Sequence, residues 1–336
     1  MSAKLGKGLD IGTVNLVAAM QDEAANVVVR KMRNAFIDVP MDNFSKNMLT
    51  RLKVPYVVQG KKMYVLGDAS FELANVLNRN TRRPMADGLI SPKETDALPV
   101  MRLLIDSILD KPRVDNELCY YSIPADPIDS TSNVMYHRDV FEGALKSLNY
   151  NPKPLFEGHG VVFAELAEDD FTGIGISCGG GMFNICVSYK SMPALAFSIS
   201  RGGDWIDNNV AHVLAIKPAK ASLIKEKGKE TGMDISKPRN REEEAIGIFY
   251  RNLLNYTLTN IKQRFETASD MPSFPEPIDI VFAGGTSMVG GFITICQEEI
   301  KKLEFPIPYK RVRLADDPFN AVAKGMLMAA LSEGAG

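Results

Sequence analysis

The residues that could do chemistry gather at glycine turns. The stretch GLDIGTVNLVAAMQ (8–21), with its turn at Gly12, returns much later as GIGISCGGGMFNICVSYK (173–190). Each reads as two short apolar strands joined by a glycine-rich turn, where glycine permits positive φ and lets backbone N–H groups approach a ligand without a Cβ in the way. Such a turn can cradle an anion. A single glycine turn also serves hairpins that bind nothing. The matched pair, joined by a third turn in FAGGTSMVGGF (282–292), suggests instead two similar halves facing one another across a phosphate site, with the third turn closing over the rest of a nucleotide.

These turns need sheets behind them. After the first hairpin, NVVVRK, KVPYVVQG and KKMYVLGD read as short strands of a small added sheet over residues 26 to about 67, followed by a helix in ASFELANVLNRN. Ser91 as N-cap, Pro92 at the first helical position and Glu94 predict a helix start there. ELCYYSIPA reads as a buried strand, and MYHRDVFEGALKSLNY as an amphipathic helix leading to strand PLFEG. In the second half a third strand, ALAFSISRGGDWID, leads to a helix at NNVAHVLA, and residues 226–240 read as an exposed connector. Asn240 and Glu243 cap a long helix with Ile246, Phe249, Leu253, Leu254, Ile261 and Phe265 at helical spacing, the acidic run Glu242 to Glu244 suiting its dipole. Strand IDIVFAGG, helix VGGFITICQEEIKKL, strand KRVRLAD and helix PFNAVAKGMLMAALS close the chain.

Composition narrows the class. The 336 residues would hold two lobes, and a net charge of −2 gives no electrostatic case for nucleic acid or anionic lipid. Cys119, Cys178, Cys186 and Cys296 lie far apart in apolar contexts without zinc-site spacing, which predicts buried, reduced thiols and fits a cytoplasm. The N-terminus leads directly into the first strand with no signal-type apolar region, and no window reaches membrane-span length, so a protein without its own membrane anchor is expected.

In this order the segments resemble the actin-like ATPase superfamily, and within it the bacterial actins of the MreB and MamK type. The matches are GLDIGTVN, RPMADGLI, YSIPAD, FEGHGVVFAEL, GGGMFN, SISRGGDWID, FAGGTSMVGG and DDPFNAVAKG. The resemblance implies an α/β protein of two ribonuclease-H-like lobes, with ATP or ADP and Mg²⁺ in the cleft between them. It sets the first lobe at 1–150 with a small inserted subdomain at about 26–80. The second lobe follows at 151–323, and a C-terminal helix at 324–336 returns to the first.

The resemblance also implies the site. Asp10 would hold the metal through water, and a carboxylate beside a phosphate turn does suit hard Mg²⁺, although an Asp capping its own hairpin is the plain alternative. Gly12, Thr13, Val14 and Asn15 would meet the phosphates from one lobe and Gly179, Gly180 and Gly181 from the other, with Gly203 and Asp204 beyond them. Glu157 would position the attacking water, or else is an ordinary acidic helix start. Gly284, Gly285, Thr286, Ser287 and Met288 match the adenosine turn, and Ser222 and Lys225 the helix bordering the base.

Three departures stand out. The family's metal-facing Asp is Ser177, a neutral member of the metal set, so that Ser177→Asp is expected to lower the Mg²⁺ requirement and raise the hydrolysis rate; and its two threonines are Met182 and Phe183. A proline after the catalytic Glu is replaced by Gly158, which loosens the helix start, and His159 then either faces the cleft or is solvated. The outer subdomain of the second lobe, about 226–274, is reduced. The expected function is an ATP-binding, filament-forming protein that hydrolyses slowly, with itself and a cargo or adaptor protein as partners. The alternative is a nucleotide-binding scaffold of the PilM or EutJ kind with little turnover. No appended substrate domain supports a chaperone reading, and the chain is short for a sugar kinase.

Overall fold

The computed structural model describes residues 5–268 and 271–333; positions 1–4, 269–270 and 334–336 of the expected first lobe, outer subdomain and C-terminal helix lie outside them. Two five-stranded sheets carry the fold. In the first, β1 (Lys7–Ile11), β2 (Asn15–Gln21) and β3 (Val27–Arg33) form an antiparallel meander. The chain then makes a small sheet from β4 (Phe36–Pro40), β5 (Val57–Gln59) and β6 (Lys62–Leu66), with helices α1 (Asn43–Leu52) and α2 (Asp68–Leu77). A two-stranded hairpin, β7 (Met85–Ala86) and β8 (Leu89–Ile90), leads to α3 (Ala97–Leu109). Strands β9 (Glu117–Ile123) and β10 (Tyr150–Phe156), joined by α4 (Val134–Ser147), add to β1 in parallel and complete the order β10-β9-β1-β2-β3.

After α5 (Glu157–Glu165) the plan repeats. Strands β11 (Gly173–Cys178), β12 (Phe183–Tyr189) and β13 (Met192–Ile199) form the meander. Four helices follow, α6 (Gly203–Leu214), α7 (Pro218–Glu226), α8 (Gly228–Thr231) and the long α9 (Arg241–Thr267). Strand β14 (Ile278–Ala283), α10 (Phe292–Leu303), β15 (Tyr309–Leu314) and α11 (Ala321–Glu333) close the chain, giving the order β13-β12-β11-β14-β15. The two orders are the same pattern. Strands β11 and β14 are buried along their whole length, as expected where helices cover both faces.

The lobes are tied by exchanged helices: α5 leaves the first sheet and lies on β11 and β12, while α11 leaves the second and lies on β1 and β9. Gly8 and Gly175 hold equivalent places in β1 and β11, and each makes room for the visiting helix. A Cβ on Gly8 would run into the backbone of Ala323 and Leu327, and one on Gly175 into Gly158 and Val162. The two helices cross where Gly160 meets Gly325, too close for any side chain on the latter.

Four expectations are corrected here. NVVVRK is not part of the small sheet: Val27–Arg33 pairs along its length with β2 in the main sheet. The helix expected from Ser91 begins at Ala97 with Asp96 at its cap, because the Glu94 carboxylate is engaged by Arg82 and by the Asp96 N–H instead of closing a capping box. Residues 226–240 are not simply an exposed connector, since they contain α8 and bury Met233 and Ile235. Gly158 does not loosen the start of α5 but lets it sit tightly on the second sheet, where a Cβ would come within 2.7 Å of the Cys186 nitrogen.

Between β13 and β14 the described residues form no strand, only an isolated bridge from Asp234 to Gly290. Helix α9 instead turns Ile246, Leu253, Leu254, Leu258 and Ile261 into the same core as Ile174 and Phe282. Its start is fixed by Asn240, which accepts from the Glu243 N–H at 2.8 Å. All four cysteines are buried and free.

Candidate functional site

Two carboxylates mark the point where the lobes meet. Asp10 sits near the end of β1, and Glu157 opens α5 directly after β10. Both residues keep some surface open, yet their carboxyl groups are enclosed by protein. Burial raises the Asp10 carboxyl to about 6, against a hydrogen bond from the Ser122 hydroxyl at 2.9 Å. Ser122 is itself held by the Ile11 N–H at 2.8 Å. Burial first, and the neighbouring Asp10 second, raise Glu157 to about 8. The Ser177 hydroxyl donates to Glu157 Oε2 at 2.9 Å, so its neutral group serves the glutamate. Asn184, fully buried on β12 and paired in register with Ser177, has no hydrogen-bond partner for its Nδ2.

The two phosphate-type turns share one construction. In the first, the Gly12 N–H donates to the Asn15 carbonyl at 3.0 Å; in the second, the Gly179 N–H donates to the Met182 carbonyl at 3.0 Å. Asn34 braces the first turn from behind, donating its N–H to the Val14 carbonyl at 2.8 Å and its Nδ2 to the Gly12 carbonyl at 2.9 Å. The turns face each other closely. A Cβ on Gly180 would strike the Val14 side chain, and one on Gly181 would lie 2.5 Å from Thr13 Oγ1 and closer still to the Gly88 nitrogen. Gly88 belongs to the β7–β8 hairpin, whose two turn residues Asp87 and Gly88 have φ of 50° and 80°, as a type I′ turn requires. Its N–H donates to Thr13 Oγ1 at 3.1 Å.

The third turn joins the second. Residues Gly285–Met288 form a 3₁₀ turn entered through Gly284 at φ 91°, and Thr286 Oγ1 donates to the Gly179 carbonyl at 2.9 Å. The start of α6 donates to the same corner, Gly203 N–H to the Gly179 carbonyl at 3.0 Å and Asp204 N–H to the Gly180 carbonyl at 2.8 Å. Lys225 reaches the Gly203 carbonyl at 3.0 Å and the buried Asp207 at 2.8 Å, with Ser222 beside Asp207, so α7 is pinned to α6 at this edge. Ion pairs bridge the lobes, Arg83 to Asp204 at 3.0 Å, Arg33 to Glu226 at 3.1 Å and Arg201 to Asp129 at 3.7 Å.

The structure therefore brings together Asp10, Glu157, Ser177, Gly12 to Asn15, Gly179 to Gly181, Gly203, Asp204 and Thr286. Ser287 turns its hydroxyl back to the Gly284 carbonyl at 2.8 Å, and Met288 is half-exposed at the end of its turn. Phe183 is not at the site: its ring is buried in the second-lobe core. Met182 covers Gly88 across the junction. His159 neither faces the cleft nor meets solvent, being buried against Phe163, and burial lowers its pKa to about 4. Sequence reasoning missed Ser122, Asn184, Asn34 and Arg83. Ser122, Arg83 and Asn184 lie within the matched segments YSIPAD, RPMADGLI and GGGMFN, which is the only signal they gave. Among the described residues no three His, Cys, Asp or Glu side chains converge as a metal cage.

Two lobes of repeated topology, exchanged helices and three glycine turns meeting at one junction define the actin-like ATPase fold. Known structures bear this out. The MamK double helical filament matches with a TM-score of 0.72 at 18% identity, over 97% of this chain and 98% of that one. MreB5 of Spiroplasma citri bound to ADP matches with 0.68 at 14%, over 98% and 97%. The ethanolamine utilization protein EutJ from Carboxydothermus hydrogenoformans matches with 0.54 at 17%, over 98% and 90%. The Volactin family model matches residues 5–330, and the chain belongs to the Volactin family. No curated protein sequence matches it.

Proposed function

We propose that this chain binds ATP with Mg²⁺ between its lobes, polymerises head to tail in the cytoplasm and hydrolyses the nucleotide slowly. The observation that carries the reading is the meeting of three glycine turns around one enclosed carboxyl pair. Structures of the same fold support it, since MreB5 of Spiroplasma citri is bound to ADP in one and to AMPPNP in another, and MamK forms a double helical filament. Among the described residues no helix is long and apolar enough to cross a membrane.

The residues present fit the metal. Two enclosed carboxyls raised to about 6 and about 8, attended only by hydroxyl partners, gain from a nearby divalent cation. Mg²⁺ needs only one or two carboxylates because it keeps its waters and takes phosphate oxygens. Asp10 would hold it through those waters. When bound, the ion supplies neutralisation of the charge on the phosphoryl group in transfer. The backbone N–H groups of the paired turns, with Thr13 and Asn15, would hold the phosphates. Gly284 to Met288 and the Lys225 edge of α7 would border the nucleoside. Glu157, fixed by Ser177, would orient the attacking water and accept its proton, a task that acts on the transition state rather than on binding.

The second reading, a nucleotide-binding scaffold with little turnover, is favoured by one feature, the neutral Ser177 hydroxyl where a second metal-facing carboxylate is the family pattern. Sedimentation with and without ATP and Mg²⁺, alongside phosphate release, separates the two. Nucleotide-dependent pelleting is the expected result. A chain that binds nucleotide, stays in the supernatant and releases no phosphate is a scaffold.

A further inference from the structure

Just past β9, a short piece of first-lobe chain joins the second sheet. The Ile128 N–H donates to the Ser198 carbonyl and the Ser198 N–H to the Asp126 carbonyl, both at 3.0 Å, which lays residues 126–128 along the free edge of β13. Asp129 follows them. Its carboxylate accepts from the Ser200 N–H at 2.8 Å and from the Tyr256 hydroxyl at 3.4 Å, and lies 3.7 Å from Arg201 Nε.

Arg201 also lines a cavity of about 480 Å³ that opens between α9 and the C-terminal half of α10. That volume lies in the range of roughly 300–1,000 Å³ common for small-ligand sites. The guanidinium lies 4.1 Å from the centre of the Tyr256 ring and 5.6 Å from that of Trp205. Stacking fixes its plane and leaves its N–H fork open. Among the described residues the Arg201 guanidinium makes no hydrogen bond, and Asp129 is its one ionic neighbour.

The rest of the wall is rich in donors. Glu299, its side chain only 4% exposed, accepts from Arg251 Nη1 at 2.7 Å, Asn255 Nδ2 at 3.0 Å and Lys302 Nζ at 2.7 Å, and Glu298 pairs with the same Arg251 nitrogen at 2.8 Å. The carboxylates here are therefore in use and hold the cations in place. Arg251 keeps Nε and Nη2, Lys302 keeps two of its N–H groups, and among the described residues the Asn252 and Thr259 side chains have no hydrogen-bond partner. No aliphatic side chain lines the cavity, and it shares no residue with the site between the lobes.

We propose that this cavity is a second ligand site, for a small phosphate ester. The phosphate takes the open fork of Arg201, a planar pairing that guanidinium favours, and has further oxygens for Arg251 or Lys302. The hydroxyl groups of the ester meet Asn252, Thr259 and the other polar side chains, which give an apolar ligand nothing to pack on. Asp129 competes for the same arginine, so occupation weakens one contact between the lobes.

The test is calorimetric titration of the full chain with inorganic phosphate and with glucose 6-phosphate, ADP being held in excess to fill the cleft. Saturable binding is expected for both, tighter for the ester. Arg201→Gln should weaken it about tenfold or more, and Arg201→Lys, which keeps the charge without the fork, should not restore it. Asp129→Asn keeps an acceptor for the Ser200 N–H but removes the competing charge, and should tighten binding severalfold, a gain that misfolding cannot produce. No saturable binding of either probe in the millimolar range overturns the proposal, as does equal affinity in Arg201→Gln and the wild type, or no gain in Asp129→Asn. Binding seen only without ADP places the phosphate in the cleft, and also overturns it. A chain that binds both probes but no ADP keeps this site and loses the nucleotide reading, so the two fail separately.

Discussion

Glu157→Gln separates what this residue does to the fold from what it does for the reaction. In the nucleotide-free chain, burial and then Asp10 raise its carboxyl from 4.5 to about 8. A carboxyl raised by folding binds its proton more tightly in the folded state. Its effect is absent below the unfolded pKa, where both states are protonated, and stability is lost progressively as pH rises toward the folded value. A displacement of about 3.5 pH units at ~1.4 kcal/mol each sets a ceiling of about 5 kcal/mol. Asp10, itself raised to about 6, titrates with it, so part of that sum belongs to the pair. Glutamine keeps the shape and an acceptor for the Ser177 hydroxyl but cannot ionise. Urea unfolding without nucleotide should therefore find variant and wild type within about 1 kcal/mol at pH 5, and the variant more stable by roughly 2 to 5 kcal/mol at pH 8.5. Phosphate release should meanwhile fall by about a hundredfold or more, with ATP binding retained. Parallel stability profiles from pH 5 to 8.5 would refute the enclosed carboxyl pair, and unchanged turnover would remove Glu157 from the reaction.

Two further substitutions test the junction. Gly181→Ala places a Cβ 2.5 Å from Thr13 Oγ1 and against the Gly88 backbone, so the turns must separate, and ATP affinity by calorimetric titration should weaken at least tenfold; unchanged affinity would mean that the turns do not hold the phosphates. Ser177→Asp sets a second charge against Glu157 Oε2, 2.9 Å from the present hydroxyl, and should lower phosphate release at pH 7.5, opposite to what the sequence alone suggests. A lower Mg²⁺ requirement with faster turnover in that variant would return Ser177 to the metal.

The repeat was legible because it is written in local chemistry: glycine where a turn tightens, apolar runs where strands are covered on both faces, and the same order twice. Gly8 and Gly175 could not be read that way. They lie inside strands, and only the visiting helices explain them. The small sheet was misdrawn at Val27 because strand pattern does not say which sheet a strand joins; seven registered pairs with β2 do. The Ser91 start failed because Glu94 prefers a charged partner, Arg82, that is twelve residues distant and invisible to a capping motif. At the site, Asp10 and Glu157 were found by resemblance, whereas the role of Ser177 depends on a side-chain direction that no spacing encodes. The helical outer region of the second lobe was visible as missing strands, but its buried Met233 and Ile235 were hidden in a polar stretch.

The most direct test of the account is the melting temperature of the wild-type chain against ATP concentration with Mg²⁺ present. The account predicts a saturable rise, reaching about 2.7 kcal/mol of added stability at a hundred times the dissociation constant. The rise should shrink in Gly181→Ala and persist in Glu157→Gln. A melting temperature that does not move at millimolar ATP and Mg²⁺ would contradict nucleotide binding between the lobes.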